Sequence, residues 1–467
     1  MQLSVPFFTL LATVLALSSV DARPLKVQRR TSGMITLPMR RIENNAHIHP
    51  ELRHQQHLNR AHRLVARVAG LEGPSDSELR ANLERRASYI SLPAKRFNIP
   101  SPDLLPPGSE VSNLVSENDV TSDCSEPTTN NALAKQSSEI DIDGADTTYV
   151  TTVKIGTPAR DFAIILDSGS GDFWVESDSS CTSDNGQGCG NHTFLGEDSS
   201  STFVDTGKPW DITYGSGSAS GDLITDTVVL AGMTLVNHTF GVAHKISTSF
   251  SGDTVADGLM GLGKAALSNQ HVPSPVKALA NAGLIKKAIT SYRFPRLVDH
   301  TNNGEITFGG LDPSKFDSST LITIPADNQS FWIANLDGVS VDGENVPIVA
   351  KVGIMDTGTT LLVAPANDAA ALHAKIPGAK FTNGGYTVPC GTNTSVALHF
   401  GGKAFPINPK DLTFAAGGRT TGDCTSGIGA FGAGADPNQW LVGDSFLKSV
   451  YFSTNEDDNT ITLAVAV

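Results

Sequence analysis

Charge is scarce for a chain of 467 residues: only 18% of side chains are Asp, Glu, Lys or Arg, and aromatics reach 6%. Basic residues are outnumbered, 34 Lys and Arg against 48 Asp and Glu, for a formal net charge of −14. An acidic surface repels phosphate backbones, so no nucleic-acid partner is expected. No apolar run reaches the ~20 residues of a membrane-spanning helix, and the terminal ITLAVAV is too short for an anchor tail. Five cysteines are too few for a disulfide-dense scaffold. There is no H-E-x-x-H metal motif. What is present is 39% hydrophobic residues with 44 Gly and 25 Pro, the composition of a turn-rich globular protein long enough for two or three domains.

The longest apolar run, Val5 to Leu17, is followed by Val20-Asp21-Ala22. It reads as a secretory signal peptide over 1–22, although the usual preceding basic side chain is missing. Residues 23–100 hold 15 Lys and Arg against 6 Asp and Glu, a net of +9, whereas 101–467 hold 19 against 41, a net of −22. Opposite signs on one chain suggest an intramolecular partnership; a basic arm for membranes or nucleic acid is the alternative. The basic segment carries the pairs Arg29-Arg30, Arg40-Arg41, Arg85-Arg86 and Lys95-Arg96. It also carries His47, His49, His54, His57 and His62 in a stretch with helical spacing of Leu and Val. Metal binding is the sharper reading of those histidines, but a titrating basic helix explains them without a metal. A polar, Pro-rich acidic linker follows, and cleavage is expected somewhere within it.

Beyond about Ile140 the texture changes to short β-branched runs punctuated by Gly, Asn, Asp and Ser, which predicts a mostly β protein. SPVKALANAGL and ANDAAALHAKI are the exceptions and read as short helices. Local pairing is the cheapest in loop entropy for the cysteines, Cys181 with Cys189 and Cys390 with Cys424, leaving Cys124 over. Sequons at Asn191, Asn237, Asn328 and Asn393 fit an exported chain.

The informative feature is an internal repeat. Apolar residues run into Asp-Ser-Gly-Ser in FAIILDSGSGDFWV, with Asp167, and into Asp-Thr-Gly-Thr in KVGIMDTGTTLLVA, with Asp356. Each is followed by an apolar-apolar-Gly triplet, Leu259-Met260-Gly261 and Leu441-Val442-Gly443. One such turn is weak evidence, but two in matching frames imply a duplicated lobe with Asp167 and Asp356 facing across a cleft. Two full charges at ~3 Å repel by about 5 kcal/mol at an effective dielectric of ~20, so such a pair shares one proton near neutrality. It then supplies a base for water and an acid for a carbonyl, with no metal, cofactor or covalent intermediate. Gly169 and Gly358 permit close backbone approach, and Ser170 and Thr359 are placed to donate to the outer carboxylate oxygens.

These residues resemble the pepsin-like aspartic endopeptidases, in texture most similar to fungal members. The resemblance covers about Tyr149 to Val467 and extends to Trp174, Ile212-Thr213-Tyr214-Gly215-Ser216-Gly217, Phe331-Trp332 and Trp440-Leu441-Val442-Gly443-Asp444. It implies a bilobal β fold with lobes at 136–325 and 326–467, preceded by a propeptide and linker at 23–135. It also implies Asp167 and Asp356 as the catalytic pair, Ser168 and Thr357 bonded across the lobes, and a substrate-covering flap of Tyr214, Gly215 and Ser216 beside Trp174. Both cysteine pairs fall at the family's disulfide positions. The implied protein is a monomeric, exported acid endopeptidase, extracellular or vacuolar, that cuts peptides between bulky hydrophobic residues. Its propeptide is its inhibitor, with Lys95 or Arg96 expected at the Asp pair. Ser168 in place of the commoner Thr and Asp172 in place of Asn are departures, the second adding a carboxylate near Asp167. A catalytically silent binding protein is the competing class; a GDSL-type hydrolase reading of Gly443-Asp444-Ser445-Phe446 lacks a nucleophile turn.

Overall fold

The repeat seen in the sequence reappears as a repeated strand crossing. Strand β1 is Ile35–Arg41, β2 Tyr149–Ile155, β3 Arg160–Asp167 and β4 Phe173–Glu176. The end of β3 runs parallel to Gly258–Gly261, and β4 runs antiparallel to that same strand. In the C-terminal half, Val352–Met355 runs parallel to Gln439–Val442, which Leu362–Ala364 pairs antiparallel. Asp167 ends its strand and Asp356 directly follows its own, each beside the apolar-apolar-Gly strand, which is buried on both faces and so reads as an unbroken apolar run. Gly258 and Gly443 are needed there, since a Cβ would run into backbone oxygens of Trp174 and Thr359 respectively.

The structure is a computed structural model that describes residues 34–41, 49–89, 148–178, 181–215, 217–251, 256–299, 303–328, 330–414, 420–432 and 435–467. Met34–Val467 form one compact unit. Among the described residues the fold is mostly β, with one fourteen-stranded sheet and smaller sheets of five, four and three strands. The arrangement is bilobal: the large sheet holds the first motif's crossing and also takes in the C-terminal strands Val450–Asn455 and Thr460–Val465, while the five-stranded sheet holds the second crossing. The two short helices expected from the sequence are present as Pro275–Asn281 and Ala366–His373. Disulfides join Cys181 to Cys189 and Cys390 to Cys424. The signal-peptide segment, Cys124, Lys95, Arg96 and Ser216 lie outside the described residues.

The basic leader is built into this frame. Strand β1 lies between β2 and Gly304–Phe308, antiparallel to both, with Ile35 opposite Phe308 and Met39 opposite Thr151. Leu37 and Met39 enter the main core. Helix α1, Pro50–Val68, starts with Pro in its first turn and a His49 ring nitrogen accepting from the Glu51 N–H. It stops where Gly70 adopts φ +65°, with the Gly70 and Leu71 N–H groups returning to Arg67 and Ala66 carbonyls. Helix α2, Asp76–Tyr89, opens with a reciprocal Ser75/Glu78 cap. Asn59 of α1 donates to the Leu79 carbonyl and ties the two helices together.

Candidate active site

The two motif turns hold their carboxylates in matching cradles. Asp167 accepts from the Gly169 N–H at 2.9 Å and the Ser170 hydroxyl at 2.7 Å. Asp356 accepts from the Gly358 N–H at 2.9 Å and the Thr359 hydroxyl at 2.5 Å. Beneath them the lobes are cross-bonded. Thr357 Oγ1 accepts from the Ser168 N–H at 2.9 Å and donates to the Leu166 carbonyl, while Ser168 Oγ accepts from the Thr357 N–H at 3.0 Å and donates to the Met355 carbonyl.

The carboxylates are mutually apposed. A Cβ at Gly169 would lie 2.5 Å from Asp356 Oδ1, and one at Gly358 would collide with Asp167 Oδ1, so each turn must be glycine to admit the opposite acid. Both Asp side chains are buried. Burial and then the negative charge of Asp167 push Asp356 up to about 7, against the pull of Arg60 and its own hydrogen bonds. One proton is therefore retained below neutrality.

Aromatic residues enclose the pair on the N-terminal side. The Trp174 indole donates to the Tyr214 hydroxyl at 2.8 Å, and the Tyr214 ring meets Phe250 edge-on at 5.4 Å. Tyr214 also bonds Ser170, so its hydroxyl connects the indole to the Asp167 cradle. Burial and the Asp167 charge hold this phenol well above its ordinary range, hence neutral. It ends the strand Val204–Tyr214, which forms a hairpin with Gly217–Leu230. Asp172 is buried and raised by desolvation, with one oxygen accepting from Ser268 Oγ and the Gln270 N–H. All four sequon asparagines, Asn191, Asn237, Asn328 and Asn393, are exposed.

Helix α1 crosses this site. Ala61, Leu64 and Val65 complete an apolar cluster with Phe331, Leu361, Phe414, Phe431 and Leu441 of the C-terminal lobe. On the opposite side, a Cβ at Gly215 would lie 2.5 Å from the Arg60 carbonyl oxygen. Leu58 and His62 press against Gly429 and Gly432. The charge of Arg60 acts on Asp356, and that of Arg67, seven residues on, acts on Asp167 and Tyr214. Sequence reasoning missed Arg60, since which of the leader's basic residues meets the acids depends on the rotation of α1 in the cleft.

Residues 148–466 match the eukaryotic aspartyl protease family. The chain belongs to that family. As an aspartyl protease relative it is 35% identical over 343 residues to a probable aspartic-type endopeptidase CTSD of Arthroderma benhamiae, covering 73% of this chain and 64% of that protein. It is 35% identical to the aspartic-type endopeptidase ctsD of Aspergillus fumigatus, covering 73% and 69% of the two chains. To rhizopuspepsin of Rhizopus chinensis it is 34% identical, covering 69% and 79%. The match thus spans just under two thirds of the Arthroderma relative.

Proposed function

We propose that this chain is an aspartic endopeptidase, made as an exported zymogen and active at acid pH, with Asp167 and Asp356 as its catalytic pair. The observation that carries the reading is the reciprocal fit of each carboxylate against the other motif's glycine, Asp356 on Gly169 and Asp167 on Gly358. In the resting pair one carboxylate is ionised and the other protonated. The ionised one takes a proton from water as the water attacks the scissile carbonyl, and the protonated one donates to the carbonyl oxygen as the tetrahedral diol forms. Collapse of the diol returns a proton to the leaving amine and breaks the C–N bond. Since Asp356 is raised to about 7, the shared proton is lost and activity falls as pH climbs through that value.

The lobes of this enzyme are taken as 136–325 and 326–467, with 23–135 as inhibitory leader and linker. Tyr214, Gly215 and Ser216 act as the flap over substrate. Bulky hydrophobic side chains are preferred on both sides of the cut bond, and Lys on the acyl side is poor because Ser216 brings no carboxylate. The test is hydrolysis of denatured haemoglobin at acid pH by processed enzyme, with and without a statine-type inhibitor. Asp167→Asn and Asp356→Asn are each expected to lose at least ~100-fold in turnover, since an amide cannot cycle the proton. Either variant keeping more than about a hundredth of the activity overturns the assignment.

A further inference from the structure

Trp332 stands between the two motif turns. Its indole Nε1 donates to the Leu262 carbonyl at 3.0 Å, and the Leu262 N–H in turn donates to the Asp167 carbonyl at 2.7 Å. The next residue, Gly263, returns its N–H to the Ser170 carbonyl at 2.7 Å, so the backbone that the indole grips is itself stapled to the Asp167 turn. On its other side the Trp332 carbonyl accepts from the Met355 N–H at 2.8 Å, one residue before Asp356. A chain of hydrogen bonds therefore runs from the main chain of Asp167, through one side chain that is 1% exposed, to the main chain beside Asp356. Ile333–Asn335, which follows the indole directly, pairs antiparallel with Val352–Met355, the strand that delivers Asp356.

Lys264 fixes that indole. It follows Gly263, is half-buried, and holds its Nζ over the Trp332 ring, 5.0 Å from the centroid, while donating to the Asp327 carbonyl. The Asp327 N–H bonds the Ile333 carbonyl at 2.9 Å, closing the loop on which Trp332 sits. The ammonium thus meets the negative face of the ring and clasps the loop that carries it.

We propose that Trp332 and Lys264 are positioning residues for the reaction: the indole sets the spacing of Asp167 and Asp356 across the lobes, and the lysine holds the indole to that setting. This rests on reading those two acids as the catalytic pair. The reciprocal bonds of Ser168 and Thr357 join the turns at one place. Two bodies held at one place can still rotate about it, and the indole supplies a second tie.

Spacing has a signature in the pH profile. Repulsion between two charges falls as the inverse of their distance, so opening the pair from ~3 to ~4 Å removes about a quarter of it, roughly one pH unit in the upper ionisation. Only the second proton leaves against the other acid's charge. The alkaline limb therefore moves toward acid and the acid limb stays. The neighbouring groups do not mask this. Tyr214 and Tyr292 are buried phenols held well above their ordinary range, hence neutral. Asp172 turns a carboxylate oxygen to Ser268 Oγ and the Gln270 N–H, and Arg60 and Arg67 depart with the leader.

The test compares processed enzyme carrying Trp332→Phe, Lys264→Met or Lys264→Arg with the parent, through pH profiles of kcat/KM on a chromogenic peptide. Phe keeps a ring without the N–H, Met keeps the length without the charge, and Arg keeps the cation. Trp332→Phe is expected to lose on the order of 10- to 100-fold in kcat, the effect of about 1 Å of misplacement, with KM changed less than about twofold. Its alkaline limb is expected to move about one pH unit toward acid. Lys264→Met should move that limb the same way by about half as much, and Lys264→Arg should keep it where the parent has it. A merely structural role would lower the melting temperature and the yield of active enzyme and leave the limb in place. Should Trp332→Phe fail to fold, the two Lys264 variants carry the test. An unmoved alkaline limb in the folded variants overturns the proposal, whereas a parent enzyme without peptidase activity overturns the reading beneath it.

Discussion

Glu176 sets a limit on how stable the folded protein is at neutral pH. It ends β4 with a side chain only 1% exposed, and its Oε2 lies 2.7 Å from Nδ1 of the equally buried His192. Burial raises it to about 7 despite that hydrogen bond and the His192 charge, with Asp257 adding to the rise. The native state thus keeps a proton that the unfolded chain gives up near 4.5. Because the native state binds more protons across that window, stability falls as pH rises from about 4.5 through about 7. At about 1.4 kcal/mol per pH unit the loss comes to about 3 kcal/mol, a sizeable part of a typical folding free energy. Glu176→Gln keeps the shape and a hydrogen-bonding partner for His192 but cannot ionise. Urea unfolding of both proteins, with Asp167→Asn in each to stop self-digestion, should be measured at pH 4.5, 6.0 and 7.5. The expected result is a decline about 3 kcal/mol shallower in the Gln variant. Parallel declines would show that burial of this carboxyl does not govern the alkaline limb.

Three further outcomes follow from the packing. Asp411 is buried between Arg296, at 2.7 Å, and Lys448, at 2.8 Å, so Asp411→Ala strands two cations and is expected to cost about 3–5 kcal/mol in urea unfolding. The Cys390–Cys424 bridge closes a longer loop than Cys181–Cys189, 34 against 8 residues of separation. Replacing each pair by Ser should therefore cost about 4 and about 2.5 kcal/mol respectively, and calorimetry that reverses the order would contradict the loop-entropy argument. Val65, fully buried in the cluster with Leu361 and Leu441, cannot become Asp without placing a charge there. Full-length Val65→Asp should bind a statine-type probe at pH 6.5 at least tenfold more tightly than the parent chain, because its cleft is open.

The Asp167 and Asp356 turns were legible because their chemistry lies in contiguous residues, with strand, acid, glycine and hydroxyl in one run. The triplets Leu259-Met260-Gly261 and Leu441-Val442-Gly443 gave the crossing partner for the same reason. Strand β1 was not legible: ITLPMRR has alternating Ile35, Leu37 and Met39, but Pro38 argues against a central strand. The pairing that places it, with Gly304–Phe308, spans some 270 residues of sequence. Helix α1 was readable from its spacing, whereas α2 had a Ser75/Glu78 capping signal that was available and not used. The histidines of α1 were read as a titrating basic face. In the fold, docking against Phe414 turns His54 inward and keeps it neutral, and no periodicity reveals what lies opposite a helix.

The position of β1 separates two events that are easily treated as one. A protease that cuts between α2 and β2 severs the covalent link, yet the rungs of Ile35 to Met39 on Gly304–Phe308 and of Met39 to Arg41 on β2 remain intact. The severed piece is then a bound subunit, held by ladder bonds, by Leu37 and Met39 in the core and by α1 in the cleft. Its departure exposes the edges of β2 and Gly304–Phe308, about 10 Å apart, or two strand spacings. Those unpaired edges recruit any extended segment that reaches them, so the gap has to be refilled or closed for the cut protein to stay single. If such a cut is made, the nicked protein is still shut, and how long it stays so depends on how fast β1 leaves the ladder.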